Sequence, residues 1–360
     1  MGRTRSWQKY NKIRFMNISD TPFLKALNKE KLNTPPIWYM RQAGRYMPEY
    51  REVRKKFKNF LDMCKEPDIC CEIALQPINK FKLDASILFS DILTIPDAFG
   101  LGVNFVENEG PVFAKPINSP IDVSNLGHFN PNDLDYVYKA VTNIKNSLPE
   151  NIPLIGFSGS PWTLAAYSIE GRSSKDFNKT LNFIKANEIE THELLSKYTD
   201  ACFLYLRKQV QSGADVIQIF DSWANLLNKD DLKKFSFDYI ASLISALKID
   251  PVTKNVPVIL FARDPDCGSK ILINTGADCI SLYWTMNNFD MHASKNKIAL
   301  QGNLNPKILL EDKETIKKET FKLLSKYKNY PGYIFNLGHG ITPDIDPDKV
   351  KYLTDIVREY

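Results

Sequence analysis

Histidine and cysteine are scarce in this chain of 360 residues, which holds four of the first and six of the second. The cysteines, at positions 64, 70, 71, 202, 267 and 279, form no Cys-x-x-Cys pair. Their spacing excludes a disulfide-stapled scaffold and makes a reducing compartment the expectation. Among His128, His192, His292 and His339, none completes a metal motif, since His192-Glu193 lacks the second histidine of His-Glu-x-x-His. No metal centre is expected. Long apolar runs are missing too. A membrane-spanning helix needs about 18 such residues in a row, and the most apolar stretch, Ile152 to Ile169, is broken by Ser158, Ser160 and Thr163. Charge of one sign is also in short supply: 47 Lys+Arg against 42 Asp+Glu leave +5, which is no nucleic-acid signature. Gly100-Leu-Gly102 lacks the third glycine of a dinucleotide fingerprint, and Gly156-Phe-Ser-Gly-Ser160 lacks the last glycine of a nucleophile elbow.

The composition that remains, 43% hydrophobic, 12% aromatic and 25% charged, belongs to a globular enzyme with a large core. Eight short apolar runs recur along it: 36–40, 85–90, 153–157, 215–220, 257–261, 279–282, 297–300 and 332–336. Each is almost continuously hydrophobic, as strands covered on both faces must be. Amphipathic patterns such as 181–210 and 306–327 fill the gaps with helix. Strand and helix in alternation imply parallel pairing. Eight such units without a Pro/Ser/Gly-rich linker predict an α/β protein with a single (β/α)8 TIM barrel over 20–360, not a doubly wound sheet. The short gaps 263–278 and 285–296 leave little room for helix, so those units should be atypical. Residues 1–19 stand apart as a basic tail with Arg3, Arg5, Lys9, Lys12 and Arg14 and no acid before Asp20. Such a tail is either the remnant of an organelle-targeting segment or a solvated extension.

In barrels of this kind, reactive groups sit where strands end and the following loops begin. Just past the eight runs come Arg41, Gln42 and Arg45; Asp91; Ser158 and Ser160; Asp221, Ser222 and Trp223; Arg263 and Asp264; Tyr283 and Trp284; Gln301 and Asn303; and His339. Any one of these is ordinary, because loops are wet. Arg41, Asp91 and His339 together are less so. Arg41, Arg45, Arg51 and Arg54 crowd a segment that Gly44 and Pro48 should shape into a loop, and guanidinium forks suit carboxylate or phosphate. Pairing with Glu49 and Glu52 would account for Arg51 and Arg54 but not for Arg41, which abuts a buried strand. Asp91 ends the run Ile87-Leu-Phe-Ser-Asp91, and a carboxylate there needs a partner or a ligand to offset its desolvation.

These residues fall in blocks that resemble the uroporphyrinogen decarboxylase family. The blocks are Pro35-Pro-Ile-Trp-Tyr-Met-Arg-Gln-Ala-Gly-Arg-Tyr-Met-Pro-Glu-Tyr-Arg51 and Gly156-Phe-Ser-Gly-Ser-Pro-Trp-Thr-Leu164, with Leu83 to Leu93, Ile219 to Trp223, Gln301 to Leu304 and Phe335 to Ile341. The likeness runs from about residue 20 to the C-terminus. It implies a homodimer of single barrels with facing clefts and a carboxy-lyase of porphyrin and haem biosynthesis that needs no cofactor and no metal. The implied substrate is uroporphyrinogen III, a tetrapyrrole octa-anion whose four acetates become methyls to give coproporphyrinogen III. Carried over by motif, Asp91 stabilises the cation formed when a pyrrole carbon is protonated, and Arg41 binds carboxylate and is the candidate proton donor. Arg45 and Arg54 add carboxylate contacts, Tyr167, Ser222 and His339 hydrogen-bond carboxylates, and Phe220 with the backbone at Gln42, Ala43 and Gly44 shapes the pocket. No nucleic acid and no membrane span is implied. The family occurs in cytoplasm and plastid, and the basic N-terminus leans towards plastid.

Two positions depart from the family pattern, which often has Asp where this chain has Tyr283 and Asn305. Tuning of loops or dimer contacts is expected from them. A zinc-dependent corrinoid methyltransferase on the same fold would need His-x-Cys, and none of the four histidines has Cys two residues later. A tetrapyrrole carrier without chemistry would gain little from Asp91.

Overall fold

Runs of Val, Ile, Leu and Phe become strands because branched side chains suit a pleated surface covered on both faces. The computed structural model describes residues 18–106, 109–265, 267–286, 289–294 and 297–360. Of the basic tail expected over 1–19, residues 1–17 therefore lie outside the described residues. The strands are β1 (Ser86–Ile87), β2 (Val103–Val106), β3 (Gly110–Phe113), β4 (Leu154–Gly159), β5 (Val216–Asp221), β6 (Val258–Ala262), β7 (Cys279–Ser281), β8 (Ala299–Gln301) and β9 (Tyr333–Ile334). One parallel sheet runs β1-β4-β5-β6-β7-β8-β9. Seven of the eight predicted runs each supply one of its strands.

The first run, 36–40, is reduced to a bridge at Ile37, because Pro35 and Pro36 bring no backbone N–H to a ladder. That bridge still closes the ring. Ile37 pairs in parallel with Phe335 beyond β9, while its carbonyl accepts the Asp84 N–H at 2.8 Å just ahead of β1. The Asp84 carboxylate takes the Ile37 N–H at 2.7 Å. Eight positions thus encircle the axis, and the fold is the (β/α)8 barrel expected. An antiparallel hairpin, β2 with β3, stands outside the ring and was not expected.

The helices differ from the sequence reading in detail. The pattern at 181–210 is two helices, Asn178–Ala186 and Glu188–Gln211, parted at Asn187 with φ −135°. That at 306–327 is a 3-10 turn, Pro306–Leu310, then a helix, Lys313–Tyr327, whose first turn is capped by Asp312 accepting the Thr315 N–H at 2.8 Å. Among the described residues the two short gaps hold only the helices Ser269–Ile273 and Met291–Ser294, atypical as expected. Among the described helices none is long and apolar enough to cross a membrane.

One end of the barrel is plugged and the other is open. Helix Pro22–Leu27 drives Phe23, Leu24 and Leu27 against Trp38, Ile155, Val216, Ile259 and Ile334, each large side chain contributing about 1.5–3 kcal/mol by its burial. Above that layer the Trp38 indole donates to Gln301 at 2.7 Å, and Gln301 donates to Ser281 at 2.9 Å, so these three buried polar groups are paired. Outside the ring, Gln209 clasps the Phe157 backbone, accepting its N–H and donating to its carbonyl, both at 2.9 Å. A Cβ at Gly156 would lie 2.5 Å from the Gln209 oxygen, which is why glycine stands there. At the open end Met40, Phe261 and Tyr283 pack with Phe220, Trp284 and Met286 as an apolar rim. The strand C-termini surround that rim.

Candidate active site

Arg41 follows the Ile37 bridge with φ +59°, a left-handed conformation that a bulky residue adopts only when its surroundings impose it. Its side chain reaches the mouth, where it remains exposed along one edge. The concave surroundings still strip water from the guanidinium and lower its pKa, although arginine stays cationic at neutral pH. Tyr167, Asp91, Arg45 and Arg263 all lie within its electrostatic reach. Gly340 makes room for it, since a Cβ there would sit 2.4 Å from the Arg41 Cδ.

Asp91 is half-buried four residues beyond the end of β1 at Ile87, and its Oδ1 accepts the Leu93 N–H at 2.8 Å. Burial pushes its carboxyl up to about 6, against the pull of that N–H and of Arg41. His339 lies between Phe261 and Tyr283, with ring centroids at 6.3 and 6.0 Å. Burial, then the cations Arg41 and Arg263, press its pKa down to about 4. It is therefore a neutral imidazole at physiological pH, able to donate one hydrogen bond but not to act as a standing cation.

Tyr167 sits on helix Pro161–Glu170, edge-on to Trp223 at 5.6 Å and to Phe177 at 5.8 Å. Burial raises its pKa, so it stays a phenol and a donor. Phe220 presents its ring to Phe157 at 5.7 Å and Phe261 at 6.1 Å, and Ser222 follows Asp221 at the end of β5. The structure thus brings Arg41, Arg45, Asp91, Tyr167, Phe220, Ser222 and His339 to one mouth.

Other expected site residues are committed elsewhere. Gln42 is 1% exposed, its amide donating to Ala85 O at 3.3 Å and its backbone N–H to Tyr39 O at 2.9 Å. Ala43 and Gly44 are half-buried in the turn between Arg41 and Arg45. The segment after Gly44 is not all loop: Pro48 opens helix Pro48–Arg54, as proline can at a first helical position. Glu49 pairs with Lys80 at 2.6 Å and Glu52 with Lys55 at 2.7 Å, not with the arginines. Arg51 instead braces the carbonyls of Arg45 and Tyr46 at 2.9 and 3.0 Å, and Arg54 donates to Phe57 O at 2.7 Å. Tyr283, 9% exposed, is a wall of the mouth beside His339, not a peripheral loop residue. Asn305 caps the 3-10 turn by accepting the Lys307 N–H at 3.0 Å, a task Asp performs equally well.

Chain comparison places this mouth in a known family. The uroporphyrinogen decarboxylase (URO-D) family model matches residues 19–360. The chain belongs to the uroporphyrinogen decarboxylase family. It is 45% identical over 94% of its length to the uroporphyrinogen decarboxylase of Ruthia magnifica subsp. Calyptogena magnifica, of which it covers 98%. It is 46% identical to that of Acinetobacter baylyi, covering 95% of this chain and 97% of the relative. Family activity is decarboxylation of uroporphyrinogen in porphyrin and haem biosynthesis, and this chain is a carboxy-lyase of that kind. A methyltransferase from Methanosarcina mazei shares the fold, with TM-score 0.74 over 94% of this chain and 98% of that one at 18% identity. Among the described residues no three His, Cys, Asp or Glu side chains cluster as metal ligands.

Asp221, one of the polar residues past the fourth run, is a structural element of the mouth. Its buried carboxylate accepts the hydroxyls of Ser160 at 2.7 Å, Thr163 at 3.0 Å and Ser236 at 2.6 Å. It ties the loop after β4 to β5 and so holds up the Trp223 wall. Ser160 is accordingly a helix cap and a donor to Asp221, not a reacting group. Its sequence position, one residue past a strand, does not separate the two roles.

Proposed function

We propose that this mouth binds uroporphyrinogen III with its pyrrole N–H groups on Asp91 and its carboxylates on the surrounding donors, and decarboxylates all four acetates to give coproporphyrinogen III. The observation that carries the reading is Asp91, a half-buried carboxylate with one fixed N–H partner and a cation, Arg41, beside it. Protonation of a pyrrole carbon makes the ring cationic. The acetate then loses CO2 and its electrons flow into that ring; a second proton on the exocyclic methylene carbon completes the methyl, and the ring carbon gives up the first proton to restore the neutral pyrrole, so one proton is consumed per CO2 released. A preorganised carboxylate stabilises the cationic stage more than the neutral substrate, which is the requirement for catalysis. Arg41 and Arg45 bind substrate carboxylates, and Arg41 is positioned to relay a proton. Tyr167, Ser222 and neutral His339 donate single hydrogen bonds, Phe220 supplies apolar floor, and Arg54, with one N–H spent on Phe57, adds long-range positive charge.

Incubating the purified chain with uroporphyrinogen III in excess chelator tests this reading. The expected product is the tetracarboxylate at an undiminished rate; inactivation by chelator, restored by zinc, overturns it. The acid limb of the pH profile is a second test. Asp91 must be ionised, so kcat/KM falls with falling pH through about 6, approaching a tenfold loss per pH unit as expected for one proton. A profile flat down to pH 5 contradicts the role of Asp91.

We further infer that 20–360 is one catalytic domain, that it works as a homodimer without cofactor in plastid or cytoplasm, and that the basic segment 1–19 is either the remnant of a targeting segment or a solvated extension. Sedimentation equilibrium at monomer mass would overturn the second of these, and fractionation of the protein decides between the two compartments.

A further inference from the structure

We propose that Arg263 anchors a substrate carboxylate on the side of the mouth opposite Arg41 and Arg45, a proposal that rests on the mouth being the uroporphyrinogen site. In the closed ring the Ile37 position is first and β6 is fifth, four positions away in either direction. Arg41 follows the first position and Arg263 is the residue just past β6, so the two start from diametrically opposed points. They nevertheless interact electrostatically with one another and jointly with His339. Both guanidiniums must therefore lean over the opening.

The support around Arg263 is rigid. Its backbone N–H is held by Asp221 O at 3.0 Å, and its guanidinium lies over the Trp223 ring, 5.3 Å from the centroid. Trp223 in turn has Phe177 at 4.3 Å and a carbonyl that takes the Trp162 indole N–H at 2.9 Å. Stacking occupies the face of a guanidinium and leaves its N–H edge for an anion. Other arginines spend that edge within the protein, Arg207 on Asp250 and Arg358 on Asp84. No carboxylate pairs with Arg263 among the described residues.

Two like charges gathered over one opening repel one another, and an anion between them relieves that repulsion. The substrate is a macrocycle of four pyrroles with carboxylates around its whole rim. Anchors confined to the Arg41–Arg45 side would fix one edge and leave the ring free to pivot; an arginine across the mouth fixes the far edge. Because the substrate must present each of four acetates in turn, the far anchor meets a different pyrrole at each step.

The test compares Arg263→Leu, Arg263→Lys and Arg41→Leu with the unaltered chain, reading steady-state kinetics and the binding of uroporphyrin by fluorescence quenching. Loss of one charge-assisted anchor should weaken binding about tenfold or more. For Arg263→Leu, KM and the dissociation constant should rise by that factor, with kcat falling less than KM rises, and Arg263→Lys should recover part of the loss. Should Arg263→Leu leave both constants unchanged while Arg41→Leu raises them, the proposal fails and the site reading stands. If neither substitution changes binding, the site reading itself fails. A lowered melting temperature with unchanged binding marks Arg263 as a mere prop for Trp223 and equally overturns the proposal.

Discussion

Replacing Asp91 by Asn lowers the turnover of uroporphyrinogen about a hundredfold or more, the scale of one lost preorganised electrostatic group, and leaves the fold intact. The Asn side chain has the same shape and its amide oxygen can still accept the Leu93 N–H, so the loop after β1 keeps its turn. What disappears is the negative charge opposite the protonated ring. Stability moves the other way. The folded state holds the Asp91 carboxyl at about 6, above its usual 3.8, so between those values the folded chain binds a proton that the unfolded chain has released. Stability from this group is greatest below the lower value, falls as pH rises through the window, and is gone at neutral pH, where the ionised carboxylate is a net cost to folding. Asn carries no such cost. The Asp91→Asn variant should melt at the same or a higher temperature than the unaltered chain at pH 7, with the difference shrinking towards pH 4. Calorimetry at the two pH values and product analysis by carboxyl number check both halves. Near-normal turnover would remove Asp91 from its role, and a lower melting point at pH 7 would show that its charge serves the fold.

The parts of this molecule legible in its sequence are those fixed by local chemistry. Doubly covered strands need continuous apolar runs, so seven strands and the closing Ile37 bridge announced themselves, and the barrel followed from their number. The run 36–40 looked like the others, but how far its ladder extends depends on Pro35 and Pro36 and on neighbours distant in the chain. Hairpin β2–β3 is short and partly exposed, so its residues carry no strong strand pattern. Position just past an apolar run pointed to Arg41, Asp91 and His339 as mouth residues. It could not tell which way a side chain turns: Gln42 faces Ala85, Arg51 braces Arg45, and the hydroxyls of Ser160 and Thr163 converge on Asp221 with that of Ser236 from a second, distant segment. Arg263 gains its meaning only once the ring is closed and its place across from Arg41 can be counted.

Gly340→Ala separates the site from the fold in a second way. The Gly-His-Gly run holds His339 between two glycines that have different neighbours. A Cβ on Gly338 would meet Trp284 backbone at 2.4 Å, and backbone does not yield without deforming the loop after β7. Gly338→Ala is therefore a folding lesion, costing about 1–3 kcal/mol as overpacking does. The three atoms nearest a Cβ on Gly340 would all belong to the Arg41 side chain, with Cδ at 2.4 Å, Cγ at 2.7 Å and Nε at 3.0 Å. A flexible side chain can rotate away, so the fold survives and Arg41 is displaced from the substrate carboxylate. A shift of about 1 Å in a positioning group costs on the order of a hundredfold in rate. The Gly340→Ala chain should keep its melting temperature and lose kcat/KM by a factor of about ten to a hundred. Because the damage passes through one side chain, it should nearly vanish when Arg41 is already truncated: in an Arg41→Ala background, Gly340→Ala should change kcat/KM by less than about twofold, a strong departure from additivity. Additive losses in that double-mutant cycle would mean that Gly340 acts through His339 or the backbone, and would remove the link between this glycine and Arg41.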